Sequence, residues 1–169
     1  MEMHAGLRED YDRSCGAAVV FDFCDKVSLE GQAEERMFPL AVTALDVLAA
    51  ADAADVRALV TAFLIKAMAV QGYRPQLAGC VHCASEKCGA GFSIEAGGVV
   101  CAECAGEDEA VVPLSSAGRS AIGALMGARM AEVAALGVPD EVLDGVARLV
   151  RTFVQHHLPA RMKSLGFLG

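Results

Sequence analysis

Tryptophan is absent from this chain, and aromatic residues fill only 5% of its 169 positions. The hydrophobic share of 54% is therefore carried by small and aliphatic side chains, alanine above all. Alanine favours helix and lets helices approach closely, so the composition points to a helical fold. Basic charge is also scarce. The chain has 14 Lys+Arg against 22 Asp+Glu, a formal net charge of −8. Phosphate binding is driven by Lys and Arg, so this balance argues against the simplest kind of nucleic-acid binder.

Long apolar runs are missing too. Residues 56–71 are interrupted by Arg57 and Lys66, and residues 38–51 by Asp46. A membrane span needs about 20 apolar residues in a row. The first residues contain no apolar h-region, so no secretory signal is expected and a cytoplasmic location with reduced thiols follows. Enzyme motifs are lacking: there is no G-x-S-x-G, no H-E-x-x-H and no G-x-G-x-x-G. Gly97-Gly98 is a turn rather than a phosphate loop, because neither a helix nor Gly-Lys-Ser/Thr follows it. No pair of residues reads as a working acid and base. The expectation is a protein that is not an enzyme. Its length suits one domain with an ordinary core.

What is present is helical periodicity on both sides of a different kind of segment. Residues 4–30 read as a helix on Leu7, Tyr11, Cys15, Ala18 or Val19, Phe23 and Val27. A second helix covers about 33–50, with Met37, Leu40, Ala41, Ala44, Leu45 and Leu48 as its apolar face. Pro39 suits only its first turn. Asp52 is placed to cap a third helix at about 53–72, and Gly72 to end it. From Cys80 to Cys104 the pattern changes to Gly, Ser, Cys and short β-like pieces. Phe92-Ser-Ile94 and Val99-Val100 flank a turn, which reads as a small hairpin. An acidic connector follows from Glu103 to Glu109. Helices are then expected at about 116–128, 129–136 and 139–158, the last opened by Pro139 with Asp140 and Glu141 complementing its dipole. The predicted fold class is mainly α: a helical domain (1–79 and 105–169) with a small four-cysteine zinc module (80–104) inserted between its halves and carrying the hairpin.

Cysteines stand at 15, 24, 80, 83, 88, 101 and 104. Cys80-x-x-Cys83 is separated by 17 residues from Cys101-x-x-Cys104, which fits the zinc spacing C-x2-C-x15–20-C-x2-C. Each C-x-x-C turn sets two thiolates a tetrahedron edge apart, and a hairpin returns the second pair to face the first. Four cysteine ligands close the coordination sphere, so the metal at Cys80, Cys83, Cys101 and Cys104 would be structural Zn²⁺. About 25 residues cannot build a core alone and need such a staple. Two redox pairs are the alternative, although a redox C-x-x-C is usually single and opens a helix after a strand. A zinc deaminase would need an H-x-E motif that is not here. Cys88 is either an exchangeable ligand or a free thiol. His82, between two ligands, reads as a surface residue. Cys15 and Cys24 read as core or near-core positions.

Charge is unevenly distributed. Residues 1–35 carry 3 basic and 9 acidic groups, and residues 80–109 carry 1 and 6. Residues 148–169 carry four basic groups, Arg148, Arg151, Arg161 and Lys163, and no acid. This is either a dipole-compensating helix end or a dock for something anionic. Interleaved Phe153, Leu158, Met162, Leu165, Phe167 and Leu168 suit an acidic-hydrophobic peptide better than bare phosphate. His156-His157 reads as a helix C-terminal feature where the dipole favours protonation. Adjacent helical residues diverge by about 100°, so the pair is not a metal clamp.

Several stretches together resemble one family. They are Leu7-Arg-Glu-Asp-Tyr11, Phe38-Pro-Leu-Ala, Gln71-Gly-Tyr-Arg-Pro-Gln-Leu-Ala-Gly-Cys80-Val-His-Cys83, Phe92-Ser-Ile-Glu-Ala-Gly-Gly98-Val-Val-Cys101-Ala-Glu-Cys104 and Leu158-Pro-Ala-Arg-Met-Lys-Ser164-Leu. The set is similar to the bacterial recombination mediator family RecO, over essentially the whole chain. The resemblance implies a non-enzymatic DNA repair and recombination protein of the RecF-type pathway. Such a protein anneals strands, works with RecR and helps load RecA on DNA coated by the single-strand-binding protein, whose acidic C-terminal tail docks on the helical domain. It implies zinc on Cys80, Cys83, Cys101 and Cys104. Arg148, Arg151, Arg161 and Lys163 are the candidates for the tail dock. The family also carries an N-terminal OB-fold, to which nothing in this sequence corresponds. The chain is expected to be the partner-binding helical and zinc part, with its own DNA binding weakened. Two readings compete with this one. A zinc-ribbon module that binds nucleic acid predicts basic residues on the hairpin, where only Lys87 occurs. A C-x-x-C thiol oxidoreductase predicts an exposed low-pKa cysteine.

Overall fold

The computed structural model describes residues 11–27, 32–89 and 91–169, with the side chains of 32–34 and all of 1–10, 28–31 and 90 outside the description. Helix α1 (Tyr11–Lys26), α2 (Gln32–Ala50) and α3 (Ala53–Val70) come first. Strands β1 (Gly91–Ser93) and β2 (Gly98–Val100), a short helix α4 (Ala102–Ala105) and β3 (Val111–Val112) follow. Helices α5 (Ser116–Gly127) and α6 (Asp140–His157) complete the bundle. The mainly helical class expected from the sequence, with a small β element, is what the structure contains.

Helix α3 is the axis of the bundle. Its residues Val56, Leu59, Val60, Thr61, Ala62, Phe63, Leu64, Ile65, Ala67 and Met68 are all buried, which leaves it little polar face. A helix apolar around its circumference belongs inside a core, and α1, α2, α5 and α6 surround it. The one hydroxyl on that surface, Thr61 Oγ1, donates to the Arg57 carbonyl at 2.7 Å, so its burial leaves no donor unpaired. Phe63 meets Phe23 of α1 edge to face, with ring centroids 5.8 Å apart.

The end of α3 follows from Gly72. Its φ of +93° is a left-handed conformation that glycine adopts without Cβ strain. Gly72 N–H donates to Ala69 O at 3.2 Å and Tyr73 N–H to Met68 O at 2.8 Å. This is the paired closure that satisfies the last carbonyls of a helix. Asp52 occupies the N-cap position as expected, but it makes no side-chain cap bond. Its carbonyl instead accepts from Asp55 N–H at 2.9 Å.

Four local expectations differ from the structure. Of the helix expected at 4–30, residues 4–10 and 28–30 lie outside the described residues, and the described part is α1. Tyr11, expected on its apolar face, is 81% exposed, while Val19, Phe23 and Val27 are buried. Pro39 lies inside α2 rather than in its first turn. Pro39 and Glu35, the residue four positions back whose carbonyl loses its donor, are both exposed. Residues 129–136 form two 3-10 turns, Met130–Glu132 and Ala134–Leu136, not an α-helix. Only Met130 and Val133 are buried there, a spacing of three that matches a 3-10 repeat. Finally, the hairpin gains a third strand: β3 pairs antiparallel with β1, in the order β2-β1-β3.

The sheet joins the bundle to the cysteine segment because its two faces do different work. Phe92 and Val99 are directly opposite in the β1–β2 register, and both belong to the helical core. Phe92 meets Phe153 of α6 edge to face at 5.7 Å. Val100, on the other face, clusters with Cys80 and Cys101. Alternation along a strand thus splits one hairpin between two cores. Among the described residues, no helix is long and apolar enough to cross a membrane.

Candidate metal centre

The two C-x-x-C pairs reach one point by different local structures. Cys101 is the N-cap of α4, so Cys101 and Cys104 sit on the first turn of a short helix anchored by β2. Cys80 and Cys83 lie on an irregular loop. Its upstream end is sewn to β2, where Gln76 N–H donates to Gly97 O, Val99 N–H to Gln76 O, and Val81 N–H to Val99 O, at 2.9–3.0 Å. The approach is close enough that a Cβ on Gly98 would lie 2.3 Å from Val81 Cγ1 and 2.8 Å from the Gln76 carbonyl oxygen. Only glycine fits there. The turn itself closes with Ala84 N–H on Cys80 O at 2.8 Å and Cys80 N–H on Ser85 O at 2.9 Å. Ala84 is held at φ +60°, a left-handed state that costs a non-glycine residue about 1–2 kcal/mol.

The sulfurs of Cys80, Cys83, Cys101 and Cys104 all lie within 4.8 Å of one another. Cys83 Sγ and Cys101 Sγ are 3.7 Å apart. A tetrahedron with metal–sulfur bonds of about 2.3 Å has edges of about 3.8 Å, so the donor set fits Zn²⁺ or a similar thiophilic ion. Thiol chemistry agrees. The backbone N–H of Cys101 chiefly, aided by those of Cys83 and His82 and opposed by burial, holds the Cys80 thiol down at about 6. The Cys104 thiol is pushed far up, first by its bond to Cys101 and then by that to Cys83. Four crowded sulfurs share protons unless a cation is present, and a cation lets all four ionise. Cys80 and Cys101 are buried, Cys104 is half-buried and Cys83 is exposed.

Cys88 is not one of the four. Its thiol donates to the Ser85 carbonyl at 3.0 Å. His82 is exposed, as expected of a surface residue, and bonds Asp108 Oδ2 through Nε2 at 2.8 Å. Asp108 is kept below the usual carboxylate range by Ser93 first and His82 second, and its Oδ1 accepts from Ala110 N–H. Spacing alone did not single out Asp108, although it stands in the acidic connector that follows the fourth cysteine. Cys15 and Cys24 are half-buried on α1.

The four basic candidates divide. Arg151, Arg161 and Lys163 line one groove with Gln155, Met162 and Gly166, of about 440 Å³. Arg148 instead borders a separate depression with Val112, Pro113 and Thr152. Arg151 also donates to the Gly169 carbonyl. Of the interleaved apolar residues, Phe153, Leu158, Met162, Leu165 and Leu168 are buried in the core and Phe167 is half-buried. His157 Nε2 bonds the Ile94 carbonyl at 2.8 Å and its ring lies against Phe153 and Tyr73, tying the end of α6 to the hairpin. His156 is exposed beside it.

Fold and site together define a helical bundle braced by a four-cysteine module. The family model described as "Recombination protein O C terminal" matches residues 8–166, and the chain belongs to that family. Among its relatives is the DNA repair protein RecO of Pelotomaculum thermopropionicum, 30% identical over 163 residues, 96% of this chain and 62% of that protein. The DNA repair protein RecO of Symbiobacterium thermophilum is 28% identical over 172 residues, 99% of this chain and 68% of its own length. That of Desulforamulus reducens is 23% identical over 169 residues, 99% of this chain and 65% of its own length. The chain thus spans about two thirds of the curated relatives it matches.

Proposed function

We propose that this chain is the partner-binding part of a recombination mediator in DNA repair, acting without catalysis. The observation that carries the reading is the family match over residues 8–166, which includes every α-helix described and all four clustered cysteines. In this reading Cys80, Cys83, Cys101 and Cys104 hold Zn²⁺, whose role is to fix the module against the bundle. The protein works with RecR in the RecF-type route of RecA loading and strand annealing, at sites where DNA is coated by the single-strand-binding protein. The acidic C-terminal tail of that coating protein docks on the bundle in the groove of Arg151, Arg161 and Lys163. Three cations among the residues that line one groove, with no acid among them, support an anionic peptide there. Binding of DNA by these residues is secondary, given the net charge of −8. A cytoplasmic site of action goes with this role.

The experiment is a fluorescence titration of a labelled peptide with the acidic, apolar-ended tail sequence against the purified, metal-loaded chain. Saturable binding that weakens as salt rises supports the reading. Absence of binding at low salt sinks the dock.

A further inference from the structure

We propose that Arg119 of α5 is the positioning residue of the four-cysteine site, gripping both ends of the loop that carries Cys80 and Cys83. The inference rests on the metal-binding reading above and goes beyond its four ligands.

Arg119 stands on the first turn of α5. That turn is fixed by Ser115, whose Oγ accepts from Gly118 N–H at 3.0 Å. From there the guanidinium crosses to the cysteine loop. Nη2 donates to the carbonyls of Leu77 and Ala78, the latter at 3.2 Å, and Nη1 donates to the Cys88 carbonyl at 3.3 Å. Leu77 and Ala78 lie just before the first cysteine of the pair, and Cys88 lies just after the second. One planar fork therefore closes the whole 77–88 segment.

The two halves of the site differ in what holds them. Cys101 and Cys104 ride on β2 and α4, which are regular elements. Cys80 and Cys83 ride on a loop whose far end, beyond Ala84, is held by short-range bonds: Cys88 N–H on Glu86 O and the Cys88 thiol on Ser85 O. Arg119 gives that end a tie to the helical bundle. Order among the four ligands lowers the cost of holding the metal, and groups outside the ligand shell supply that order. The task suits arginine. Its five N–H donors form a rigid fork, whereas a lysine ammonium is a point donor on a flexible stem.

The test loads the full chain with Co²⁺ under reducing conditions and follows loss of the sulfur-to-cobalt charge-transfer band to a chelator. Arg119→Ala should release metal about 10-fold faster, the low end of the affinity loss seen when an outer-shell partner is removed, because Arg119 holds the loop and not a ligand directly. Arg119→Lys should recover only part of the loss. Ser164→Ala is the structural control: it removes a hydrogen bond between the C-terminal 3-10 segment and α1, neither of which carries Arg119 or the cysteine loop, and its release rate should match the parent. Where Arg119→Ala fails to fold, the Arg119→Lys rate carries the comparison. Release from the folded Arg119 variant at the parent rate overturns the inference and leaves the metal reading standing. Failure of the unsubstituted chain to bind Co²⁺ overturns both.

Discussion

Ser164 and Asp22 stand 142 positions apart and meet on one oxygen: Ser164 Oγ donates to Asp22 Oδ2 at 2.6 Å, and Ser164 N–H donates to the same atom at 3.2 Å. The contact pins the 3-10 segment Lys163–Leu168 to α1, and Leu165 and Leu168 are buried by the same docking. It also gives the Lys163-Ser164 pair a physical meaning, since serine is the member that makes the bond. Hydrogen bonds to a charged acceptor contribute about 1.5–3 kcal/mol. Asp22→Ala should therefore cost about that much, and Ser164→Ala, which keeps the backbone bond, about 1 kcal/mol. Urea unfolding measures both, as lower midpoints at unchanged slope.

Metal removal should act through four cysteines and spare the fifth. Cys80→Ser and Cys104→Ser should each lose bound metal and unfold at least the module. Cys88→Ser should keep metal at the parent stoichiometry, because its thiol serves a carbonyl. Metal content per chain after gel filtration, with far-ultraviolet circular dichroism alongside, distinguishes these outcomes. Equal loss from Cys88→Ser would contradict the ligand assignment.

Two glycines should respond in opposite directions. Gly98→Ala places a methyl into Val81 and the Gln76 carbonyl, so it should destabilise by about 1–3 kcal/mol or more as the loop is pushed off β2. Gly145 lies exposed within α6, with open space where its Cβ would be. Gly145→Ala should stabilise by about 0.5–1 kcal/mol. Thermal melts of the two variants and the parent check the sign of each.

The legible part of this structure was the part written in local rhythm. Helices α2, α3 and α6 repeat apolar residues at the helical period, and their expected ends fall within about two residues of the observed ones. The four sulfurs come together as their spacing implied. What escaped was either too short or too distant. Strand β3 is two residues long and carries no alternation to read. Arg119 reaches carbonyls about 40 positions away, and a carbonyl has no residue identity by which sequence could flag it. Tyr11 fits the apolar spacing of α1 and still faces solvent, because periodicity assigns a face but not what packs against each position of it. The basic segment read as one patch. The segment after α6 returns against that helix, so Arg161 and Lys163 share a groove with Arg151, while Arg148, about one turn earlier on α6, borders another depression.

That sorting yields a prediction for the peptide titration. Arg161→Glu and Lys163→Glu should each weaken binding of the acidic peptide and flatten its salt dependence, since each reverses a charge at the groove. Arg148→Glu, outside the groove, should change affinity less than either. An Arg148→Glu effect as large as theirs would extend the dock to the depression that Arg148 borders.

The near-complete burial of α3 has a consequence for how the protein fails. Leu59, Phe63 and Met68 share one helix, and α1, α2, α5 and α6 all lean on it. No part of the bundle can come away without exposing that shared surface. Loss of structure in the helical part should therefore be all-or-none, with amide exchange of the α3 backbone taking place only through global opening.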